Sequence, residues 1–538
     1  MNFENTLQQG CEANPVITSD AQAAYTVHPA KNPFKPEMLD FVLAIFVFAL
    51  GYLFSRWVLF TWSGWGVSAF TTVYLLSVTA YLMKKGAFTN SYASWFWMLV
   101  TFATGVSYAF WGNPGFAAIR SLFLFCSAVY YVIVAAGRTI MGKSCNFLLI
   151  DGVNAVILVP FRNFLNQYLS FAVLRKGEKR GRGISIFIGV IIAFVLLICL
   201  TPMLIRADSG GFEEILRFFA DIFSFDISIV LFYALFAIPV AAYLYALVSG
   251  AAHKKGTDTI KPEGAKNAVS ALRIFQPATV YIALGAVCGL YIVFVLSQVP
   301  YFFSAFTGRR PEGWLNYSQY ARQGFFELCW ISAINLILLI AGNVTSKKQR
   351  VESSLLKAFN IALALLTLVL IATAFSKMAL YIKVGGLTMP RLLPCVFMAF
   401  MAAVFVALIV LQKKDFSIVR FALVTGTAIL CVFCLINPDA LVSRYNMSRH
   451  LGGSLPYYDM DVLRRAGVAG VPYAIEVYKK TPDENLKGEI AGYLEEYRTY
   501  IEYYFSADYI DSAIGRGAYA RTAEAYRARK ALRDPALE

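Results

Sequence analysis

Charge is scarce in this chain: only 15% of its 538 residues are Asp, Glu, Lys or Arg. A globular chain carries about 25%, and here 58% of the residues are hydrophobic, so a soluble enzyme is excluded. Histidine occurs three times, at positions 28, 253 and 450, never at ligand spacing, which argues against a dedicated zinc or di-iron site. The nine cysteines form no spaced framework in polar segments, and none follows Leu435. They read as small core hydrophobes, including Cys431-x-x-Cys434 within an apolar run. No nucleophile elbow, phosphate-binding glycine loop, metal-binding helix or kinase signature is present. No cofactor is expected. Residues 1–37, with Pro15, Pro29, Pro33 and Pro36, lack the basic start and apolar core of a cleaved leader. They are expected to form a flexible cytoplasmic tail.

What the chain has is long hydrophobic runs. About eleven stand out, at 38–54, 65–83, 93–111, 114–137, 184–204, 226–250, 278–304, 322–342, 354–376, 390–412 and 417–436. Most approach the ~20 residues a helix needs to cross ~30 Å of hydrocarbon. Alternate loops carry 20 and 7 Lys/Arg. The richer set includes Lys84, Lys85, Arg138, Lys254, Lys347, Lys348, Lys413 and Lys414. By the positive-inside rule that set is cytoplasmic, and an N-in, C-out protein satisfies every loop. Trp57, Trp62, Trp65 and Trp111 fall on the opposite side, as interfacial rings do. Trp330 falls inside a span. The fold class is therefore all-α: a polytopic membrane bundle over 38–436.

Two further stretches read as surface helices. Residues 147–172 are apolar but contain Asp151, Asn154, Pro160, Arg162 and Asn163, with basic residues at both ends. A crossing there would invert every later loop, so a broken amphipathic helix along the cytoplasmic interface is expected. Residues 212–225 carry a stripe of Phe212, Ile215, Phe218, Phe219 and Ile222, and read as an outer amphipathic helix.

After Leu435 the composition changes. Residues 437–538 hold 14 Lys/Arg, 15 Asp/Glu and thirteen tyrosines. They read as a small extracytoplasmic helical domain, with helices near Pro472–Lys480 and Asn485–Phe505. The second carries Leu486, Ile490, Tyr493, Leu494, Tyr497 and Ile501 on one side. A polar tail helix is expected over 518–532. Since this segment is near neutral, the net charge of +15 belongs to the membrane loops, and nucleic acid is not an expected partner. The bilayer is, together with an envelope protein reached through 437–538.

The chemistry-bearing candidate is the cluster Tyr317, Tyr320, Arg322, Glu327 and Asn335, with Arg309 and Arg310 on the same side of the membrane. Tyr320, Gly324, Glu327, Ile331 and Asn335 follow helical spacing and are expected to share a face. A carboxylate at Glu327 costs several kcal/mol unless it is paired, protonated or hydrated. A structural ion pair competes with a proton- or ligand-linked role. Gly285-x-x-x-Gly289 reads as a packing motif, and Arg120 as a snorkelling side chain. Gly385-Gly386 and Pro390 read as an ordinary loop ahead of a span. Tyr457, Tyr458, Asp459 and Asp461 read as a solvated turn.

The string Leu296-Ser-Gln-x-Pro300-Tyr301, followed by Tyr320-Ala-Arg322-x-Gly324-Phe325-Phe326-Glu327-Leu328, resembles a bacterial multi-pass membrane family. It is the domain of unknown function numbered forty-one seventy-three, with forty-one fifty-three as a close relative. Asn437-Pro438-Asp439-Ala440, Arg444-Tyr445-Asn446 and Val471-Pro472 extend the resemblance. It implies a bacterial cytoplasmic-membrane protein and brings no activity or catalytic residue. A non-enzymatic sensing or scaffolding protein of the envelope is the leading expectation. The alternatives are a secondary transporter using Glu327 and a membrane enzyme acting on lipid-linked envelope substrates.

Overall fold

The computed structural model describes residues 34–141, 147–174, 227–254, 262–306, 317–348, 350–506 and 518–534, with single positions between 189 and 207. Among them no strand occurs, only one isolated bridge between Phe275 and Ser346. The apolar runs fold as α1 (Met38–Phe54), α2 (Trp65–Lys84), α3 (Tyr92–Phe110), α4 (Ala117–Ala135) and α8 (Ile227–Ala252). After α9 (Pro262–Ala271) come α10 (Pro277–Phe306), α11 (Tyr317–Thr345), α12 (Ser354–Gly385), α13 (Met389–Leu411) and α14 (Ile418–Leu435). Helix starts follow local capping chemistry. Ser91, Ser353 and Ser417 accept bonds from the backbone N–H groups of Ser94, Leu356 and Arg420, which satisfies otherwise orphaned donors.

Nine helices among the described residues are long and apolar enough to cross a membrane. α3 falls outside that set although it is 19 residues long and packs between α2 and α4. Its Ser94, Thr101, Thr104 and Ser107 are fully buried, and three of them donate back to backbone carbonyls, so polarity in its sequence is spent inside the bundle. Apart from a few single positions, the run at 184–204 lies outside the described residues, as does the whole stripe at 212–225.

The helices form two cores. One unites α1–α4 with α8; the other unites α10–α13. α14 leans on α3 and α13, and its Phe433 meets Phe116 at 4.9 Å between ring centres. Close helix approach is set by Gly51, where a Cβ would stand 2.6 Å from the Ala237 carbonyl oxygen. The expected glycine pair is used only in part: Gly285 faces the Phe359 ring, whereas Gly289 has nothing within 4 Å.

At the basic end the bundle is tied by Asp40, which is fully buried. Its Oδ1 accepts from the Tyr81 hydroxyl at 2.6 Å and faces His253 Nε2 at 2.9 Å. Its Oδ2 accepts from Lys85 at 3.2 Å and from the Glu37 N–H at 2.8 Å. α1, α2 and α8 thus end on a single carboxylate.

Beside this knot the 147–172 segment is a broken helix: α5 (Leu148–Val153), a π-turn (Asn154–Leu158), α6 (Val159–Asn163) and α7 (Asn166–Ser170). Its polarity is inside out. Asp151, Asn154, Gln167 and Ser170 are 0% exposed, while Leu149, Phe161 and Leu165 are 85, 64 and 61% exposed. Gln167 donates to the Ala44 carbonyl at 3.0 Å, and Tyr243 to that of Val156 at 3.1 Å. Gln167 and Ser170 bond inward to Ala44 of α1 and Tyr245 of α8, and the apolar face is left outward.

The C-terminal domain comprises α15 (Pro438–Leu451), α16 (Met460–Ala466), α17 (Val471–Lys480), α18 (Glu484–Phe505) and α19 (Ala523–Leu532). Leu486, Ile490, Tyr493, Leu494 and Ile501 of α18 are buried in its core. α19 departs from the expected polar tail. Ala525, Ala528 and Leu532 are buried, and Glu524 is nearly so, because the helix folds back onto α17 and α18.

Candidate functional site

The most heavily built polar region lies where this domain meets the bundle. α3 ends at Trp111, and the chain turns through Asn113, whose φ of 47° is a left-handed conformation that Asn tolerates. A short turn, Pro114–Phe116, then leads into α4. Arg120 reaches back from α4. It donates to the carbonyls of Trp111 at 3.0 Å and Gly112 at 2.7 Å, and sits 3.8 Å over the Tyr108 ring. It is wholly buried. The expected snorkelling side chain is instead the clasp of the 111–116 turn, because the carbonyls freed by that turn need a forked donor.

The domain grips the same turn from the other side. Asn437, with φ 49°, caps α15 by accepting from the Ala440 N–H at 3.1 Å. Its amide donates to Glu524 Oε1 at 2.6 Å, and Glu524 Oε2 accepts from the Gly112 N–H at 3.0 Å. Asp439 Oδ2 accepts from the Gly115 N–H at 3.2 Å. Burial pushes the Asp439 carboxyl up to about 6, against the pull of the Gly115 bond. Burial likewise raises Glu524, opposed by its Gly112 and Asn437 bonds. Two more grips flank this one. Asn446 accepts from the Leu387 N–H at 2.7 Å and donates to the Leu387 carbonyl at 2.8 Å. Ser63 and the Trp65 indole donate to the carbonyls of Ala520 and Ala518.

Between these grips the seam forms an open-sided cavity of about 590 Å³. α12 reaches it because its 32 residues measure about 48 Å, well beyond the hydrocarbon thickness. The bundle contributes Phe326, Met378, Tyr381 and Arg391; the domain contributes Asp439, Asp459, Asp461 and Arg465. Arg391 lies 3.9 Å over the Tyr381 ring and donates to the carbonyls of Gly385 and Gly386. Asp459 caps α16 by accepting from the Asp461 N–H at 3.0 Å. Asp461 and Arg465 are exposed at the rim. The cavity offers apolar walls at the bundle and both signs of charge at the domain. The glycine-proline loop at 385–390 and the Asp459–Asp461 turn, separate in sequence and read there as ordinary loops, form one wall each.

The sequence-derived cluster is only partly gathered. Arg309 and Arg310 lie outside the described residues, and Tyr317, Tyr320 and Arg322 fall on the first turns of α11. Glu327 is exposed beside Phe326, whereas Asn335 is fully buried. Eight helical residues turn through an odd remainder of about 80°, so the two do not present to the same surroundings. Asn335 accepts from the Tyr291 hydroxyl at 2.7 Å and donates to Thr367 Oγ1 at 2.9 Å, a bridge between α10, α11 and α12. Glu327 interacts electrostatically with Lys377 of α12. Trp330 points outward, 71% exposed.

An all-α polytopic bundle carrying a docked helical domain is thus the class of protein that the fold and site define. The model of a family described as a domain of unknown function (DUF4153) matches residues 98–477, and the chain belongs to that family. It is the forty-one fifty-three family that is shown, the one named from the motifs as a relative. The match ends inside α17, so it takes in the Arg120 clasp, the seam cavity and Asn437, and stops short of Glu524. No match is found among curated proteins or among solved structures.

Proposed function

We propose that this is a non-enzymatic protein of the bacterial cytoplasmic membrane, spanning it about eleven times, which senses or scaffolds an envelope component held in the seam cavity. The C-terminal domain stands outside the cytoplasm in this reading. The 20-to-7 distribution of Lys/Arg between alternate loops supports that orientation. The observation that carries the proposal is the 590 Å³ cavity walled half by bundle and half by domain. Occupancy of such a cavity changes how the domain sits on the membrane helices, which is what a sensor requires. Small-molecule sites commonly occur at such interfaces, with apolar walls and a few polar groups.

The transporter alternative draws no added support from Glu327, since Lys377 beside it favours a structural ion pair. The experiment is gentle extraction of the full-length chain from native membranes, with co-purified lipids, solutes and proteins identified by mass spectrometry. The doubly substituted Asp461→Lys, Arg465→Glu chain is carried in parallel. A specific molecule retained by the native chain and lost from the charge-swapped one is expected. An identical set on both would remove the cavity from the function. Orientation is read separately by labelling a cysteine placed at Tyr457, 73% exposed, with a membrane-impermeant maleimide on intact cells.

A further inference from the structure

A second cleft opens on the other side of the Glu524 grip, with a volume of about 310 Å³. Tyr497, Tyr500 and Tyr504 line it from one helix, α18, where spacings of three and four residues put them on a common face. Their rings form a ladder. Tyr493 and Tyr497 stand 4.6 Å apart, Tyr497 and Tyr500 6.1 Å, and Tyr500 and Tyr504 5.9 Å with only 16° between their planes. The ladder is fixed at its ends. The Tyr504 hydroxyl donates to the Ala520 carbonyl at 2.7 Å and the Tyr493 hydroxyl to that of Gly467 at 2.9 Å. Tyr500, 47% exposed, presents an open ring. Glu496, beside Tyr497 on the same helix, and Glu524, Thr522 and Ser63 complete the lining.

We infer that this cleft is a saccharide-binding site. Rigid aromatic rings with polar tips give contact area to the apolar C–H faces of a sugar at small entropic cost. The carboxylates and hydroxyls around them accept and donate to ring hydroxyls. A pocket for a quaternary ammonium group would instead surround the cation with rings from several sides, whereas these rings come from one helix face. The volume is at the lower end of the about 300–1,000 Å³ of small-molecule sites, which suits one or two sugar residues of a longer glycan. The cleft adjoins the 590 Å³ cavity at Ala466, and no other lining residue is common to the two. Only its envelope-side placement rests on the orientation proposed above.

The test uses the full-length chain in lipid nanodiscs and three probes: chitotriose, cellotriose and maltotriose. Binding is followed by calorimetry and by saturation-transfer NMR, with choline chloride as the competing chemistry. Saturable binding of at least one trisaccharide is expected, weakened ten-fold or more by Tyr500→Ala and by Glu496→Gln. Both positions are exposed, so the fold survives either change. Asp461→Lys, in the other cavity, is expected to leave it unchanged. No binding of any of the three sugars, binding of choline in their place, or binding indifferent to both cleft substitutions would overturn the inference.

Discussion

The side-chain amide of Asn437, the second residue past α14, donates to Glu524 at 2.6 Å across 87 positions of sequence. Through the Gly112 bond of the same carboxylate, the last helix, the start of the domain and a loop of the bundle close on one another. Glu524→Ala leaves the buried Asn437 amide and the half-buried Gly112 N–H without acceptors, at about 1–3 kcal/mol for the buried donor and less for the other. The expected result is faster hydrogen exchange and proteolysis over 518–534, with the membrane helices unchanged. Glu524→Gln, which keeps one acceptor, is expected to show a smaller effect.

Asp439 makes the docking pH-dependent. Its carboxyl is raised from the ordinary 3.8 to about 6 by burial, so the folded form binds a proton more readily than the unfolded one. Stability therefore rises as pH falls from above 6 towards 4, and is lowest above 6, where the buried carboxylate is charged. A shift of about two units corresponds to at most about 3 kcal/mol. Asp439→Asn keeps an acceptor for the Gly115 N–H and is expected to raise the Tm of the domain at pH 7.5 and flatten its pH profile. An unaltered profile between pH 4 and 7 would falsify the assignment.

Asp40 is surrounded by donors: Tyr81, Lys85, His253 and the Glu37 N–H. In Asp40→Asn the amide group turns a donor towards donors and removes the buried one of the two carboxylates paired with Lys85, leaving only the exposed Glu37 at 2.7 Å. Breaking a buried pair in this way costs about 3–5 kcal/mol. A drop in detergent Tm and loss of monodisperse protein are expected. A variant as stable as the native chain would show that the α1–α2–α8 junction is held by packing alone.

Glu327→Gln separates structure from function at the site first suggested by the motif. Removal of the charge beside half-buried Lys377 is expected to lower the detergent Tm by a few degrees and leave the co-purified molecules unchanged. Unchanged stability with loss of those molecules would assign Glu327 to the ligand site instead.

Nine of the expected spans were legible because each is a continuous apolar run whose length the bilayer dictates; α12 carries its helix past its run as far as Gly385. α18 was legible from its apolar stripe, of which Leu486, Ile490, Tyr493, Leu494 and Ile501 are buried and Tyr497 is half-buried. The inside-out polarity of 147–172 was not legible, since composition shows an amphipathic segment without saying which face meets protein and which meets lipid. Arg120 was noticed but misassigned, because a charge near a helix end snorkels unless the preceding loop folds back to offer it carbonyls. Glu524 carried no signal at all, being one acid among fifteen in a segment of balanced charge.

Sequence by itself determined a membrane-spanning all-α chain with a polar helical domain after Leu435, because hydropathy and helical period are local properties summed along the chain. Only the tertiary structure decided that this domain is docked rather than tethered, and that Asn437, Glu524, Asp439 and Arg120 converge on one turn. It also decided that two clefts open on either side of that junction. Those outcomes depend on which buried donor finds which acceptor across hundreds of residues, a pairing that no local pattern encodes.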